Sequence, residues 1–188
     1  MRTLVAFENI TLDGCFADAN GDIGWAHRES RDPDYDAFVA DNAKGGGMVL
    51  LGRVTYELMA GWWPTEQAKQ MDPVVADQMN TLRKVVFSRT LREPTWSNTT
   101  LVNGDIAAAV RRMKQEPGPD MVILGSGSIV SQLAREGLID EYQLVINPII
   151  LGGGKPLCEG VGAQLNLALK TSRTFANGNV FLSYAPAS

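Results

Sequence analysis

Short apolar runs of strand length alternate along the chain with segments whose apolar residues recur at helical spacing. Five runs rich in Val, Leu and Ile predict strands at residues 3–7, 48–51, 83–89, 99–102 and 121–124. Asp residues, two of them followed by Pro, predict helix starts at Asp32, Asp72 and Asp105. Helices are also expected directly after the strands that end at residues 51 and 124.

The C-terminal part of the chain changes to a pattern of strands alone. A strand is expected at residues 142–150, where Pro148 indicates an edge position or a bulge. Residues 165–175 and 179–184 are predicted to form a hairpin across Asn177-Gly178. The whole pattern predicts an α/β sandwich in a single domain over residues 1–188, with a mixed, mostly parallel sheet and an antiparallel C-terminal hairpin.

The strand at residues 121–124 ends in a glycine turn, Gly125-Ser126-Gly127-Ser128, that leads straight into a helix beginning near Ile129. Such a turn presents free backbone N–H groups at a helix N-terminus, where the helix dipole favours an anion. Glycines let the backbone approach a phosphate closely. The turn therefore indicates a phosphate-bearing cofactor. An ordinary strand-to-helix turn with Ser126 or Ser128 as N-cap is the alternative.

Two further strands end in residues that suit phosphate. The strand at residues 48–51 leads into Gly52-Arg53-Val54-Thr55, where Arg53 and Thr55 can bind phosphate oxygens, or simply belong to a capped helix. Ser88-Arg89, at the end of the strand at residues 83–89, can bind the phosphate that separates NADP from NAD, or form a surface loop. Ligands of open α/β sheets bind at the carboxyl ends of the parallel strands, so we expect these turns to converge there.

Composition narrows the class of protein. The 188 residues are 45% hydrophobic and 20% charged, as in ordinary globular proteins, and the net charge of −4 offers no basic surface for nucleic acid. His27 is the only histidine, which argues against a His-rich metal site or a Ser-His-Asp triad. No apolar run reaches the length of a membrane span, and no secretory signal is recognisable. We therefore expect a cytoplasmic protein with no metal, membrane or nucleic-acid partner.

A long segment with turn signals, residues 9–27, separates the first strand from the first helix. A loop of this length in a compact domain is usually functional or disordered. Trp25, near its end, indicates a surface that the loop covers or an anchor that holds the loop to the core. The two roles can coexist.

Taken in order, these motifs resemble those of a known family. They are Leu12-Asp13-Gly14, Leu-Gly-Arg-Val-Thr-Tyr-Glu at 51–57, Val-Phe-Ser-Arg at 86–89, Ile-Leu-Gly-Ser-Gly at 123–127, Leu-Ile-Asp-Glu at 138–141 and Pro-Ile-Ile-Leu-Gly-Gly-Gly-Lys-Pro-Leu at 148–157. The chain resembles the dihydrofolate reductase-like superfamily, and within it a stand-alone form of the reductase (C-terminal) domain of the riboflavin-biosynthesis deaminase-reductases. The resemblance covers almost the whole chain, and its specificity comes from the combination. The zinc pattern of the deaminase domain has no match here.

The resemblance implies an NADPH-dependent reductase with a three-layer sandwich, an eight-stranded mixed sheet and often a homodimeric state. Gly52, Arg53 and Thr55 would bind cofactor phosphates, Ser88 and Arg89 would lie near the 2′-phosphate, and Gly125, Ser126, Gly127, Ser128 and Ile129 would wrap the pyrophosphate. The loop from Asp13 to Trp25 would cover the nicotinamide as a mobile lid. Hydride would pass to a pyrimidine- or pterin-like ring, most like 5-amino-6-(5-phosphoribosylamino)uracil.

The resemblance also implies a proton donor on the helix after the lid. Asp36 lies where dihydrofolate reductases place that acid, inside the predicted helix, whereas Asp32 and Asp34 lie at its start and compete for the role. An apolar pocket around Asp36 would raise its pKa and keep it a proton donor. Lys155 is a candidate contact for an anionic substrate tail, or else a solvated lysine or part of a dimer contact.

Three functions are compatible with these residues. The first is a pyrimidine reductase of riboflavin-biosynthesis type, and the second is a reductase of the same fold acting on dihydrofolate or another small molecule. The third is a nucleotide-binding or oligomeric protein that kept the fold and lost the chemistry, because fold alone does not settle function.

Overall fold

The computed structural model describes residues 1–27, 32–44 and 47–187. Its strands are β1 (Leu4–Thr11), β2 (Cys15–Asp18), β3 (Met48–Gly52), β4 (Arg83–Phe87), β5 (Thr99–Val102), β6 (Met121–Leu124), β7 (Glu141–Asn147), β8 (Gly154–Pro156), β9 (Leu167–Thr174) and β10 (Val180–Pro186). Its helices are α1 (Pro33–Lys44), α2 (Arg53–Trp62), α3 (Glu66–Met71), α4 (Pro73–Thr81), α5 (Ile106–Gln115) and α6 (Gly127–Arg135), with a 3-10 turn at Gly24–His27.

Eight strands form one mixed sheet in the order β5-β4-β3-β6-β1-β7-β10-β9. The strands from β5 to β7 pair in parallel, whereas β10 runs antiparallel to both β7 and β9. This confirms the predicted α/β architecture and is the dihydrofolate reductase-like fold. Because the pairing is parallel, the carboxyl ends of β1, β3, β4 and β6 lie at one edge of the sheet.

Helices cover both faces of the sheet because the strands direct alternate side chains to two cores. Leu4 and Ala6 of β1 belong to the core beneath α5 and α6. Val49 and Leu51 of β3 belong to the core beneath α2 and α4. These two cores make the three-layer sandwich. Among the described residues, none of the helices has the length and hydrophobicity to cross a membrane.

The first strand extends farther than its sequence pattern predicts. Residues 8–11 of β1 pair with residues 144–147 of β7, so the strand continues through Thr11 instead of ending at Phe7. The segment that follows contains β2, which pairs antiparallel with β8. The prediction of a long irregular loop over residues 9–27 is therefore wrong, because long-range pairing partners convert much of it into strand.

The prediction for Pro148 is also wrong. β7 ends at Asn147, one residue before the proline, and lies inside the sheet between β1 and β10. Proline has no N–H for the ladder, so the strand stops before it instead of moving to an edge. The predicted hairpin is confirmed, since β9 and β10 pair antiparallel across Asn177-Gly178, where Gly178 has a φ of +89°.

Candidate functional site

A cleft of about 820 Å³ runs along β1, β3 and β6, from Thr3 and Asp120 at their amino ends to the turns at their carboxyl ends. β2 and helices α1, α2, α4 and α6 complete its walls. A cavity of this size lies within the range of small-molecule and cofactor sites. Its polar and charged lining residues, among those the structure describes, are Thr3, Glu8, Asn9, Asn42, Arg53, Thr55, Asp120, Ser126, Ser128, Gln143 and Lys155.

The two glycine turns predicted to converge are joined by hydrogen bonds. The N–H of Gly52 donates to the hydroxyl oxygen of Ser126 at 2.9 Å, and the Ser126 hydroxyl donates to Thr55 Oγ1 at 3.1 Å. The Thr55 hydroxyl in turn donates to the carbonyl of Gly125. Gly125 has a φ of +53°, a backbone conformation that favours glycine. The start of α2 and the start of α6 therefore form one polar junction.

The N-terminus of α6 retains backbone donors for an anion. Ser126 is the N-cap residue, but its side chain makes no capping hydrogen bond because Gly52 and Thr55 engage its hydroxyl. The first N–H groups bonded within the helix start are those of Ile129 and Val130, which donate to the Ser126 carbonyl. The N–H groups of Gly127 and Ser128 precede them and lie at the positive end of the helix dipole.

The segment predicted to cover the site lies along the cleft. Phe16 of β2 packs on the first residue of α6, and a Cβ at Gly127 would lie 2.4 Å from a ring carbon of Phe16. Ala17, Ile23 and Ala26 also line the cleft. Only glycine at position 127 therefore allows this segment to close against the helix N-terminus.

Most of the predicted cofactor residues come together in this cleft. The predicted residues that line it are Gly52, Arg53, Thr55, Gly125, Ser126, Gly127 and Ser128. Arg53 is exposed and forms an ion pair of 2.8 Å with Glu57, one turn along α2. Ile129 is 3% exposed and packs behind the turn, 3.5 Å from the position that a Cβ at Gly52 would take.

Asp13 lies outside the described lining and supports a loop instead. Its carboxylate accepts hydrogen bonds from the hydroxyl of Thr11 and from the N–H groups of Leu151 and Gly152. The Thr11 hydroxyl, followed by these N–H groups, lowers the pKa of Asp13. The carboxylate thus ties the end of β1 to the glycine loop that precedes β8.

Ser88 and Arg89 also lie outside the described lining, although the structure places them at the predicted edge. β4 runs parallel to β3, so its carboxyl end lies beside the turn at Gly52. The Ser88 hydroxyl oxygen accepts hydrogen bonds from the N–H groups of Thr90 and Leu91, at 3.1 Å and 2.9 Å. Arg89 is exposed.

Trp25 is buried next to the cleft without lining it. Its neighbours Ile23 and Ala26 contribute to the lining, while its own side chain is 9% exposed. Within the part of the chain that the structure describes, its indole N–H has no hydrogen-bond partner. A buried donor without an acceptor is costly and rare in folded proteins.

The three aspartates considered as proton donors lie at the start of α1. Asp36 is exposed and outside the described cleft lining, so the apolar pocket expected around it is not found. Asp32 is buried and accepts hydrogen bonds from the N–H groups of Asp34 and Tyr35 at the helix start and of Asn177 in the hairpin. The catalytic role of Asp36 stays a prediction.

The buried acid in the cleft is Glu8, which the sequence analysis missed. Glu8 is 1% exposed, and its Oε1 accepts a hydrogen bond of 3.1 Å from the N–H of Ser126. Burial raises the pKa of Glu8 to about 8, and the Ser126 hydrogen bond opposes that rise. The sequence contains a signal for this burial. Glu8 follows the alternation of Leu4 and Ala6, so a strand that continues past Phe7 directs its side chain to the same buried face. A charged side chain is rare on such a face.

The sequence of this chain matches a known protein family. The model of the RibD C-terminal domain matches residues 2–181. The uncharacterized protein YyaP of Bacillus subtilis is 31% identical over 183 residues, which are 97% of this chain and 94% of the relative.

Solved structures show the same fold. A candidate riboflavin biosynthesis protein from Shewanella sp. PV-4 superposes with a TM-score of 0.73 at 21% identity, over 99% of both chains. A diaminohydroxyphosphoribosylaminopyrimidine deaminase/5-amino-6-(5-phosphoribosylamino)uracil reductase from Thermotoga maritima superposes with a TM-score of 0.68 at 16% identity, over 99% of this chain and 57% of the other. With a family match that spans nearly all of its length, this chain belongs to the RibD C-terminal domain family.

Proposed function

We propose that this protein is an NADPH-dependent reductase that transfers hydride to a pyrimidine- or pterin-like ring, most like 5-amino-6-(5-phosphoribosylamino)uracil reductase. The family supports a riboflavin-pathway-like reductase. The observation that carries the proposal is the hydrogen-bonded junction between Gly52, Thr55 and Ser126 at the mouth of the cleft. This junction holds two helix N-termini, each a favourable place for phosphate, side by side.

The residues of the cleft fit a dinucleotide. Its volume of about 820 Å³ suits a cofactor, and the N–H groups of Gly127 and Ser128 supply donors for a phosphate oxygen. Arg53, which pairs with Glu57, contributes a guanidinium to the lining of the same cleft. Ser88 and Arg89 follow β4 at the same edge of the sheet, beside the turn at Gly52, and the 2′-phosphate would lie near them.

When bound, NADPH supplies the hydride, while the chain binds, orients and shields the reacting groups. Phe16 and Ile23 of the covering segment form an apolar wall on one side of the cleft. Such a wall excludes water from a hydride-transfer site. Lys155 lies on the same rim, with Nζ 3.0 Å from the position of a Cβ at Gly21, and would meet an anionic substrate tail.

The proton donor is tested by the variant Asp36→Asn. Loss of turnover with cofactor binding retained would support Asp36 as the acid. Unchanged turnover on a verified substrate would remove it from the mechanism.

The first experiment is a titration of the purified protein with NADPH, with NADH in parallel, followed by nicotinamide fluorescence. We expect tight NADPH binding with a clear preference over NADH. The preference should shrink in Arg89→Ala and persist in Arg92→Ala, an exposed arginine on the same loop. Absence of binding by either dinucleotide would reject the reductase proposal.

A panel of pyrimidine and pterin substrates separates the alternative functions. Turnover of the riboflavin precursor favours the proposed activity, and turnover of dihydrofolate or an unrelated compound favours another reductase of this fold. Tight cofactor binding without turnover of any compound favours a nucleotide-binding protein that has lost its chemistry.

We also propose that the protein is a cytoplasmic homodimer, with β9 at the interface between copies. Every residue of β9 is exposed at the edge of the sheet, including Leu167 and Leu169 at 40% and 57%. Exposed apolar side chains on an unpaired edge strand favour association. Sedimentation velocity of the wild-type protein tests this assignment, and a monomer at micromolar concentration would contradict it.

A further inference from the structure

The glycine turn that is proposed to bind the cofactor already holds one carboxyl group. The N–H of Ser126, which precedes the N–H groups of Gly127 and Ser128, donates to Oε1 of Glu8 at 3.1 Å. Both Glu8 and the turn line the cleft. An anionic ligand at Gly127 and Ser128 would therefore share the N-terminus of α6 with the Glu8 carboxyl.

Apolar side chains flank Glu8 along its strand and across the ladder. It is paired across the ladder with Leu144 of β7, and its strand neighbours on the same face are Ala6 and Ile10 of the buried core. Burial of the carboxyl disfavours its charged form, because a lone ion is poorly solvated in such surroundings.

The other titratable groups near Glu8 come from several elements. On β7, Tyr142 shares its face of the sheet, and burial raises the pKa of that phenol to about 12. β2 contributes the buried thiol of Cys15. In the cleft, Arg53 is paired with Glu57 and Lys155 is exposed on the rim. The remaining charged lining residue, Asp120, precedes β6 at the far end of the cleft and accepts the N–H of Thr3.

We propose that Glu8 determines the charge that the glycine turn accepts, such that an anionic group of the dinucleotide binds at Gly127 and Ser128 only when the Glu8 carboxyl is protonated. Binding then takes up a proton whenever Glu8 is ionised in the free protein. This inference rests on the proposed function, since it concerns the same cofactor site.

The physical reason is repulsion within a poorly solvated site. A carboxylate and a phosphate at one helix N-terminus repel each other, and the low effective dielectric of a buried site strengthens the repulsion. A neutral carboxyl keeps Oε1 as an acceptor for the Ser126 N–H and removes the like charge. The raised pKa of about 8 leaves Glu8 mostly neutral at pH 7 and mostly ionised at pH 9.

The expected effect follows from this titration. With a pKa of about 8, the NADPH dissociation constant of the wild-type protein should rise about tenfold between pH 7 and pH 9. At pH 8 about half a proton should be taken up for each NADPH bound. The 2′-phosphate of NADPH does not contribute to the proton uptake measured at pH 8, because a phosphate monoester with a second pKa of about 6 is almost fully ionised at that pH.

The test is isothermal titration calorimetry with NADPH at pH 7, 8 and 9, in buffers of different ionisation enthalpy. Glu8→Gln keeps an acceptor for the Ser126 N–H and stays neutral, so it should bind with no proton uptake and a nearly flat pH profile. Glu116→Gln removes an exposed carboxylate at the end of α5 and should behave like the wild-type protein. Circular dichroism of each variant verifies folding.

The outcomes separate this inference from the proposed function. Proton uptake by the wild-type protein and its loss in Glu8→Gln support the role of Glu8. NADPH binding with no proton uptake, or with equal uptake in both proteins, overturns that role and leaves the reductase proposal intact. Absence of NADPH binding at every pH overturns both. If Glu8→Gln does not fold, the pH dependence of the wild-type uptake decides: a half-maximal value near pH 8 supports the role of Glu8, and uptake absent at pH 8 and 9 overturns it.

Discussion

The backbone N–H of Gly52 donates a hydrogen bond of 2.9 Å to the side-chain hydroxyl of Ser126, 74 residues farther along the chain. This bond joins the end of β3 to the start of α6 across adjacent parallel strands. The two strand-to-helix turns therefore keep a fixed relative position, which is what a site that spans both helix N-termini requires.

Removal of the Ser126 hydroxyl should destabilise this junction. Ser126→Ala removes the acceptor of the Gly52 N–H and the hydroxyl that donates to Thr55 Oγ1. A half-buried N–H left unpaired costs about 1–2 kcal/mol of unfolding free energy. Urea denaturation followed by circular dichroism measures the loss. Thr95→Ala, at an exposed position between β4 and β5, is the control and should change stability by less than about 0.5 kcal/mol. Equal effects of the two variants would contradict the structural role of Ser126.

A methyl group at Gly127 should displace the covering segment. The new Cβ would lie 2.4 Å from the ring of Phe16, so Gly127→Ala should lower the unfolding free energy by about 1–3 kcal/mol. The loss of unfolding free energy in the double variant Gly127→Ala/Phe16→Ala should be smaller than the sum of the two single losses, because the clash disappears with the ring. Thermal and urea unfolding of the single and double variants give the coupling energy.

Gly61 provides the matched control for this steric argument. It lies within α2, and nothing lies within 4 Å of the position that its Cβ would take. Gly61→Ala should therefore leave stability unchanged or raise it by up to about 1 kcal/mol, since alanine favours helix. Similar destabilisation by both alanines would show that the contact with Phe16 is not responsible.

The two buried indoles should respond differently to loss of the N–H group. Trp96 donates to Asn80 Oδ1 at 2.7 Å, whereas the Trp25 N–H has no partner among the described residues. Replacement by Phe removes ring area in both cases but a hydrogen bond only at Trp96. Trp96→Phe should therefore cost about 1–2 kcal/mol more unfolding free energy than Trp25→Phe. An equal or larger cost at Trp25 would indicate that its N–H is satisfied in solution.

The stability of the wild-type protein should fall as pH rises from about 5 to about 8, relative to Glu8→Gln. The folded pKa of Glu8 is raised from 4.5 to about 8, so within this window the folded protein holds a proton that the unfolded chain has released. Stability then decreases with pH by at most about 1.4 kcal/mol per unit, and Gln has no such dependence. Urea unfolding of both proteins at pH 5, 6.5 and 8 measures the difference. Parallel stability curves would show that Glu8 titrates normally.

Local patterns in the sequence located the elements of the site. Glycine between an apolar run of strand length and a segment with helical spacing marked the turns at Gly52 and Gly125. The chain must turn at these points because a strand ends there and a helix begins. The alternation of strands and helices predicted the parallel sheet, and the parallel sheet predicted that these turns meet at one edge. Asn177-Gly178 predicted the hairpin from turn chemistry alone.

Long-range pairing decided what the sequence pattern left open. β1 extends to Thr11 and β2 forms only because β7 and β8 provide hydrogen-bonding partners more than 100 residues away, and no local pattern records those partners. The extension of β1 carries Glu8 into the core, and the approach of α6 places the Ser126 N–H against its carboxyl. The sequence by itself therefore determined the fold class and the position of the two glycine turns at the carboxyl edge of the sheet. Only the tertiary structure decided which acid lies in the cleft, because burial and the resulting rise in pKa depend on neighbours distant along the chain.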